Sequence, residues 1–181
     1  MGLEDSGWTV LGTPFRFQGV PPDLRAGLSA LLQGFPSPGP GEGVALPVAA
    51  GETAPQAEYR LINEAIARAR DRWILHAGAV EGPRGTCLVL GESGAGKTSL
   101  TLWLWSSGLR LVTDDLCPIL HGSLAPERFA RALHMDCEYS PHLLARIPPR
   151  PPAYPADYYP FPDASGAPPA PVSDLLVLRR L

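Results

Sequence analysis

Helix-period and strand-period segments alternate along most of this 181-residue chain. Phe15 to Val20 reads as a short extended stretch, and Asp23 to Leu32 as a helix with Leu24, Leu28, Leu31 and Leu32 on one face. Asp23 is placed to cap that helix, because a short acidic side chain accepts hydrogen bonds from the unpaired amides of a first turn. Phe35 to Gly43, rich in proline and glycine, predicts a loop, and Val44 to Val48 an edge strand. Within Gln56 to Arg70, Leu61, Ile62, Ala65, Ile66 and Ala69 recur at helical spacing, with Arg60, Asn63, Glu64, Arg68 and Arg70 mostly opposite. Trp73 to Val80 predicts a strand and Glu81 to Gly85 a turn. Thr86 to Leu90 would then close a β-hairpin with the strand that carries His76.

Ser99 to Ser107 has helical character and is apolar nearly all round, which predicts a helix sandwiched between a sheet and other elements. Gly108 is placed to end it. Leu109 to Thr113 predicts a third strand and Cys117 to Leu120 a fourth; Pro126 to Leu133 reads as a short helix or a strand. Half of the chain's 22 prolines fall between Pro141 and Pro171. That density opposes regular ladders, while Tyr154, Tyr158, Tyr159 and Phe161 oppose full solvation, so a loop packed loosely on the core is expected. Val172 to Leu178 predicts a last strand. The organisation is thus an N-terminal accessory segment (1–55), an α/β core (56–140), a proline-rich loop (141–171) and a C-terminal strand (172–181).

Composition narrows the function classes. A formal net charge of −3 and a pI near 5.8 argue against a basic surface for nucleic acid. No run approaches the roughly 18 apolar residues of a membrane span, and the N-terminus does not read as a secretory signal. A cytoplasmic protein is expected. The three cysteines form no disulfide framework. Cys117, His121, His134 and Cys137 are spaced C-x₃-H-x₁₂-H-x₂-C, which matches no common zinc module.

The chemistry concentrates at Gly91-Glu92-Ser93-Gly94-Ala95-Gly96-Lys97-Thr98, which fits G-x-x-x-x-G-K-[ST] at every fixed position. A strand leads into it and a helix opening at Ser99 leaves it, the context the motif requires. Glycines let successive backbone amides turn toward one point without a Cβ clash, and the helix adds the positive end of its dipole. Such a loop cradles phosphates, so Gly91 to Ser99 are the candidate ATP-binding residues. Lys97 would bridge the terminal phosphates and the Thr98 hydroxyl would complete a Mg²⁺ shell. Asp114 and Asp115 stand at the C-terminal end of the third strand, where ligands bind in open α/β sheets. One of them can serve Mg²⁺ and the other accept a proton from an acceptor hydroxyl. Because adjacent strand residues face opposite sides, both reach the site only if the strand has ended. His76, on a strand expected beside the loop, either senses phosphate, bonds the Asp pair, or is structural.

Three segments together, Leu75-His76-Ala77-Gly78-Ala79-Val80, the glycine loop, and Leu111-Val112-Thr113-Asp114-Asp115, resemble the catalytic domain of HPr kinase/phosphorylase over residues 73–120. The resemblance implies the P-loop nucleoside triphosphate-binding fold of the HPr kinase and phosphoenolpyruvate carboxykinase type, with the N-terminal segment as a small accessory layer. It also implies an ATP- and Mg²⁺-dependent serine kinase acting on a protein or peptide hydroxyl, and it leaves room for a homo-oligomer. By this likeness His76, Lys97, Thr98, Asp114 and Asp115 take catalytic or ligand roles. Arg131-Ala132-Leu133-His134 stands roughly where the family carries an R-G-L-G-type segment, without its glycines. The expectation is therefore a kinase-like protein rather than a phosphorylase. A catalytically inactive ATP-binding module and a small-metabolite kinase are the alternatives.

Overall fold

A computed structural model describes residues 6–39, 41–135, 143, 145–162 and 167–179. The chain is mixed α/β, with several sheets and three helices among the described residues. None of those helices is long and apolar enough to cross a membrane.

The N-terminal part is a sheet of β1 (Ser6–Val10), β2 (Thr13–Gln18) and β3 (Val44–Pro47), in that order, covered by α1 (Pro22–Leu31) and α2 (Ala54–Arg68). The hairpin joining β1 to β2 has no counterpart among the sequence-based expectations. Its two-residue turn, Leu11-Gly12, is left-handed at both positions (φ 51° and 78°), and leucine at the first conceals the turn that the geometry makes. In α1, Leu24, Leu28 and Leu31 are buried, as is Leu32 just beyond it, in agreement with the periodicity. Asp23 does not cap the helix: the cap position is Pro21, and Asp23 lies inside the first turn with no capping bond. Thr53 opens α2 with a capping box in which its N–H donates to Gln56 Oε1 at 2.9 Å. The two helices meet closely where a Cβ on Gly27 would lie 2.7 Å from that of Ala54.

The following elements are β4 (Arg72–His76), β5 (Gly78–Gly82), β6 (Gly85–Gly91), α3 (Lys97–Ser106), β7 (Arg110–Thr113), β8 (Leu116–Leu120), β9 (Leu133–His134), β10 (Tyr158–Tyr159) and β11 (Val172–Leu178). A four-stranded sheet has the order β11-β6-β5-β7. Because β5 is antiparallel to both β6 and β7, and β11 is parallel to β6, three strands run one way and end on one edge. Helix α3 packs against β5, β6 and β7. An antiparallel ribbon of β4 and β8 shares a separate cluster with the sheet, in which Ala77, Ala79, Leu88, Val112, Cys117 and Ile119 are buried.

Several expectations change. The apolar run Trp73 to Val80 is two strands parted at the buried Ala77, and only the second forms the hairpin with β6. His76 instead pairs with Leu116 in the ribbon, and the Ala77 amide donates to the Asp115 carbonyl at 3.0 Å. Helix α3 is not sandwiched: it buries Lys97, Thr101 and Leu102 and leaves Trp103 60% exposed. From Glu127 to Ala132 the chain is irregular, carrying neither the predicted helix nor the predicted strand, yet it buries Phe129, Ala130 and Ala132. The proline-rich segment packs closely rather than loosely, since Ile147, Tyr154 and Phe161 are all buried in the two larger clusters.

Candidate functional site

Strand β6 delivers the chain to the glycine loop, whose turns need positive φ at Gly91 (152°), Gly94 (72°) and Gly96 (91°). A Cβ on Gly91 would stand 2.8 Å from the Leu178 carbonyl of the neighbouring strand, so that position excludes a side chain on space as well as on conformation. Gly96 caps α3 without any side chain, and its carbonyl accepts from the Leu100 amide at 2.9 Å. The amides of the first helical turn, at Lys97, Thr98 and Ser99, have no partner within the helix. Helix α2 contrasts with this, its start being closed by Thr53 and Gln56. Lys97 is buried; its Nζ donates to the carbonyls of Gly91 (2.9 Å) and Glu92 (3.0 Å), lying back along the loop.

Strand β7 runs in the same direction as β6, so its C-terminal end comes to the same edge of the sheet. It stops at Thr113, whose hydroxyl donates to the Leu116 carbonyl at 2.8 Å across a bend. Asp114 and Asp115 occupy that bend and are released from the strict alternation of a strand, so both reach one cavity. The cavity has a volume of about 430 Å³. Of the predicted residues, His76, Ser93, Gly94, Gly96, Lys97, Thr98, Ser99, Asp114 and Asp115 line it. Gly91, Glu92 and Ala95 do not, although the first two hold Lys97 through their carbonyls.

The two aspartates have different surroundings. Asp114 is 6% exposed, and no side chain among the described residues pairs with it. Burial, reinforced by the neighbouring Asp115 charge, pushes its carboxyl up to about 7. Asp115 is engaged at both oxygens: Oδ1 lies 3.1 Å from His76 Nδ1, and Oδ2 accepts from Arg131 Nη1 at 2.6 Å. Arg131 in turn donates through Nε to Glu58 Oε1 (2.5 Å) and through Nη2 to Glu58 Oε2 (2.8 Å). Burial opposes the Arg131 charge, but the Glu58 hydrogen bonds and the two carboxylate charges outweigh it and raise its pKa above the ordinary arginine value.

Arg131, Ala132, His134 and Tyr158 complete the cavity wall. The β9–β10 pair sets Tyr158 opposite His134, with ring centroids 4.7 Å apart. Burial raises the Tyr158 phenol pKa, with the Arg131 charge acting against it. From the sequence, Arg131 to His134 are marked only as the stretch standing where the resembled family carries a glycine-rich segment, His134 also enters the cysteine–histidine spacing, and neither Tyr158 nor Glu58 is given a role. A signal for Glu58 exists: it stands three, four and seven places before Leu61, Ile62 and Ala65, on the apolar stripe itself. The cysteine–histidine pattern does not converge among the described residues. Cys117 is enclosed in an apolar cluster where burial pushes its thiol up to about 12, His121 packs on Trp73 at 4.5 Å, and Cys137 lies outside the described residues.

The donors in the cavity suit two kinds of group. Unpaired helix amides beside a lysine are complementary to phosphate oxygens. The hydroxyl of Thr98 with the carboxylates of Asp114 and Asp115 is an oxygen-only set, which suits a hard cation such as Mg²⁺ that takes one or two carboxylates and shares the rest of its shell with phosphate. No family model matches the chain, and no curated protein matches it.

Proposed function

We propose that this chain binds ATP with Mg²⁺ in the cavity and transfers the terminal phosphoryl group to a hydroxyl, of serine in the first instance, on a protein or peptide. The observation that carries the reading is the facing of two assemblies across one cavity. On one side are the uncapped start of α3 and Lys97; on the other is the bend with a paired and an unpaired aspartate. The arrangement supports a P-loop fold of the HPr kinase type, with β6, the glycine loop and α3 as its nucleotide-binding unit.

Bound ATP would supply the transferable group, and Mg²⁺ would neutralise charge as that group moves. Thr98 and Asp115 would hold the cation, the latter with its orientation fixed by Arg131. The amides of Lys97, Thr98 and Ser99 would bind phosphate oxygens, and Lys97 would leave its two carbonyl partners to do the same. Asp114 would take the proton as the acceptor oxygen bonds to phosphorus and ADP leaves. A base that titrates near neutrality is matched to that task. The polar, partly open wall of Arg131, His134 and Tyr158 would receive the acceptor.

The test is transfer from γ-labelled ATP to serine-containing proteins and peptides encoded beside the gene for this chain. Label on a serine, lost in Asp114→Asn and Lys97→Ala, is the expected result. ATP binding with no transfer to any acceptor would replace the kinase reading with a non-catalytic nucleotide-binding module.

A further inference from the structure

Glu58 is 1% exposed on a helix whose other buried positions are Ala54, Ala57, Leu61, Ile62 and Ala65. An ionised carboxylate in such a place needs a partner of opposite charge and satisfied oxygens. Arg131 provides both in a fork-to-fork pair, at 2.5 and 2.8 Å. A guanidinium held at two nitrogens has its plane fixed, so the two N–H bonds of its remaining Nη1 point in fixed in-plane directions. Nη1 donates to Asp115 Oδ2, at 2.6 Å, and the other Asp115 oxygen lies 3.1 Å from His76 Nδ1. Four side chains from four separate segments are thus joined end to end. Glu58 lies in the core of the N-terminal layer and does not line the cavity; Arg131, Asp115 and His76 all do.

We propose that Glu58 is a positioning residue of this site, orienting Asp115 and His76 through Arg131. On this view the N-terminal layer, through α2, is part of the working machinery rather than a cover. The purpose assigned to the relay rests on the kinase reading, whereas the relay itself needs no nucleotide to be detected. A simple core ion pair would stabilise the fold without reaching His76, and that is the distinction to measure.

The experiment uses the full chain with ¹³C- and ¹⁵N-labelled histidine, in wild type, Glu58→Gln and Glu58→Asp. The His76 ring signal is assigned by its loss in His76→Gln. His121, which packs against Trp73 instead of the relay, is the internal control. The His76 signal is expected to shift in Glu58→Gln while that of His121 stays in place. Transfer activity should fall by about tenfold or more through kcat, as when other groups that hold a ligand in place are lost, with KM for ATP little changed. A folded Glu58→Gln protein whose His76 signal coincides with wild type would overturn the proposal, as would equal movement of the His121 signal. If Glu58→Gln does not fold, Glu58→Asp decides on the same terms, since it keeps the charge and withdraws the carboxylate by one methylene. Should wild type transfer no phosphate, the kinase reading fails while the His76 signal still decides the relay.

Discussion

Asp114 and Asp115 are neighbours in sequence with opposite electrostatic circumstances, and each difference is measurable. Asp115 has two partners able to carry positive charge, while Asp114 has burial and a like charge beside it. A raised carboxyl pKa means that the folded chain holds this proton more tightly than the unfolded chain. The group's contribution therefore favours folding below the ordinary aspartate range and is lost as the pH climbs toward about 7. Asp114→Asn should accordingly raise the melting temperature relative to wild type at pH 8, and the difference should shrink toward pH 5, as followed by thermal denaturation across pH. Lys97→Met removes the buried ammonium that lines the cavity. It should weaken ATP binding, measured by calorimetry, by about 1.5–3 kcal/mol, the usual worth of hydrogen bonds to charged groups. Lys97 can be picked out from its motif and both aspartates from their place at a strand end, whereas His76 stays open on position and takes a site role only through the family resemblance. Arg131 and Glu58 cannot be joined from spacing, because a contact between residues so far apart depends on how α2 and an irregular segment fold past each other.

Among the elements, α1 and α2 are legible because their apolar residues keep a helical period, and their buried faces follow it. The surroundings of α3 are not, since an apolar composition does not say which side a sheet will occupy and Trp103 remains outside. The contact that seats α3 is at Gly78 of β5, where an added Cβ would run into the Thr101 side chain. Gly78→Ala should destabilise the fold by about 1–3 kcal/mol in urea denaturation, the usual cost of overfilling a packed contact. Adding Thr101→Ala should recover part of it, all the more because the buried Thr101 hydroxyl has no hydrogen-bond partner among the described residues. The division of residues 72–82 into two strands is hidden for a different reason. An unbroken apolar run reports burial, and the choice of pairing partner is made by strands distant in sequence.

At the scale of the molecule, the proline-rich segment ties two cores together, with Tyr154 in the cluster of the N-terminal layer and Phe161 in the cluster beneath α3. Proline density opposes long ladders there, and among the described residues of the segment the strand present, β10, is two residues long, but proline density carries no information about how tightly the aromatics are enclosed. Phe161→Ala should cost about 3–5 kcal/mol in thermal unfolding, the range for a buried phenylalanine, and a tail lying loosely on the surface would show almost none of that loss. The seam at Ala77 bears on where the chain tolerates insertions. Here the backbone leaves the β4–β8 ribbon and enters the four-stranded sheet within one residue, with the Ala77 N–H donating a hydrogen bond to the Asp115 carbonyl at the crossing. There is no slack to absorb an extra residue, and a slip of one position on either side turns every side chain of that strand to the opposite face. In a library of single-residue insertions scored for expression of folded protein, position 77 should be among the least permissive, while the turn at 121–123 should accept additions readily. The length of that crossing is thus held fixed by two sheets at once, whatever the residues on either side become.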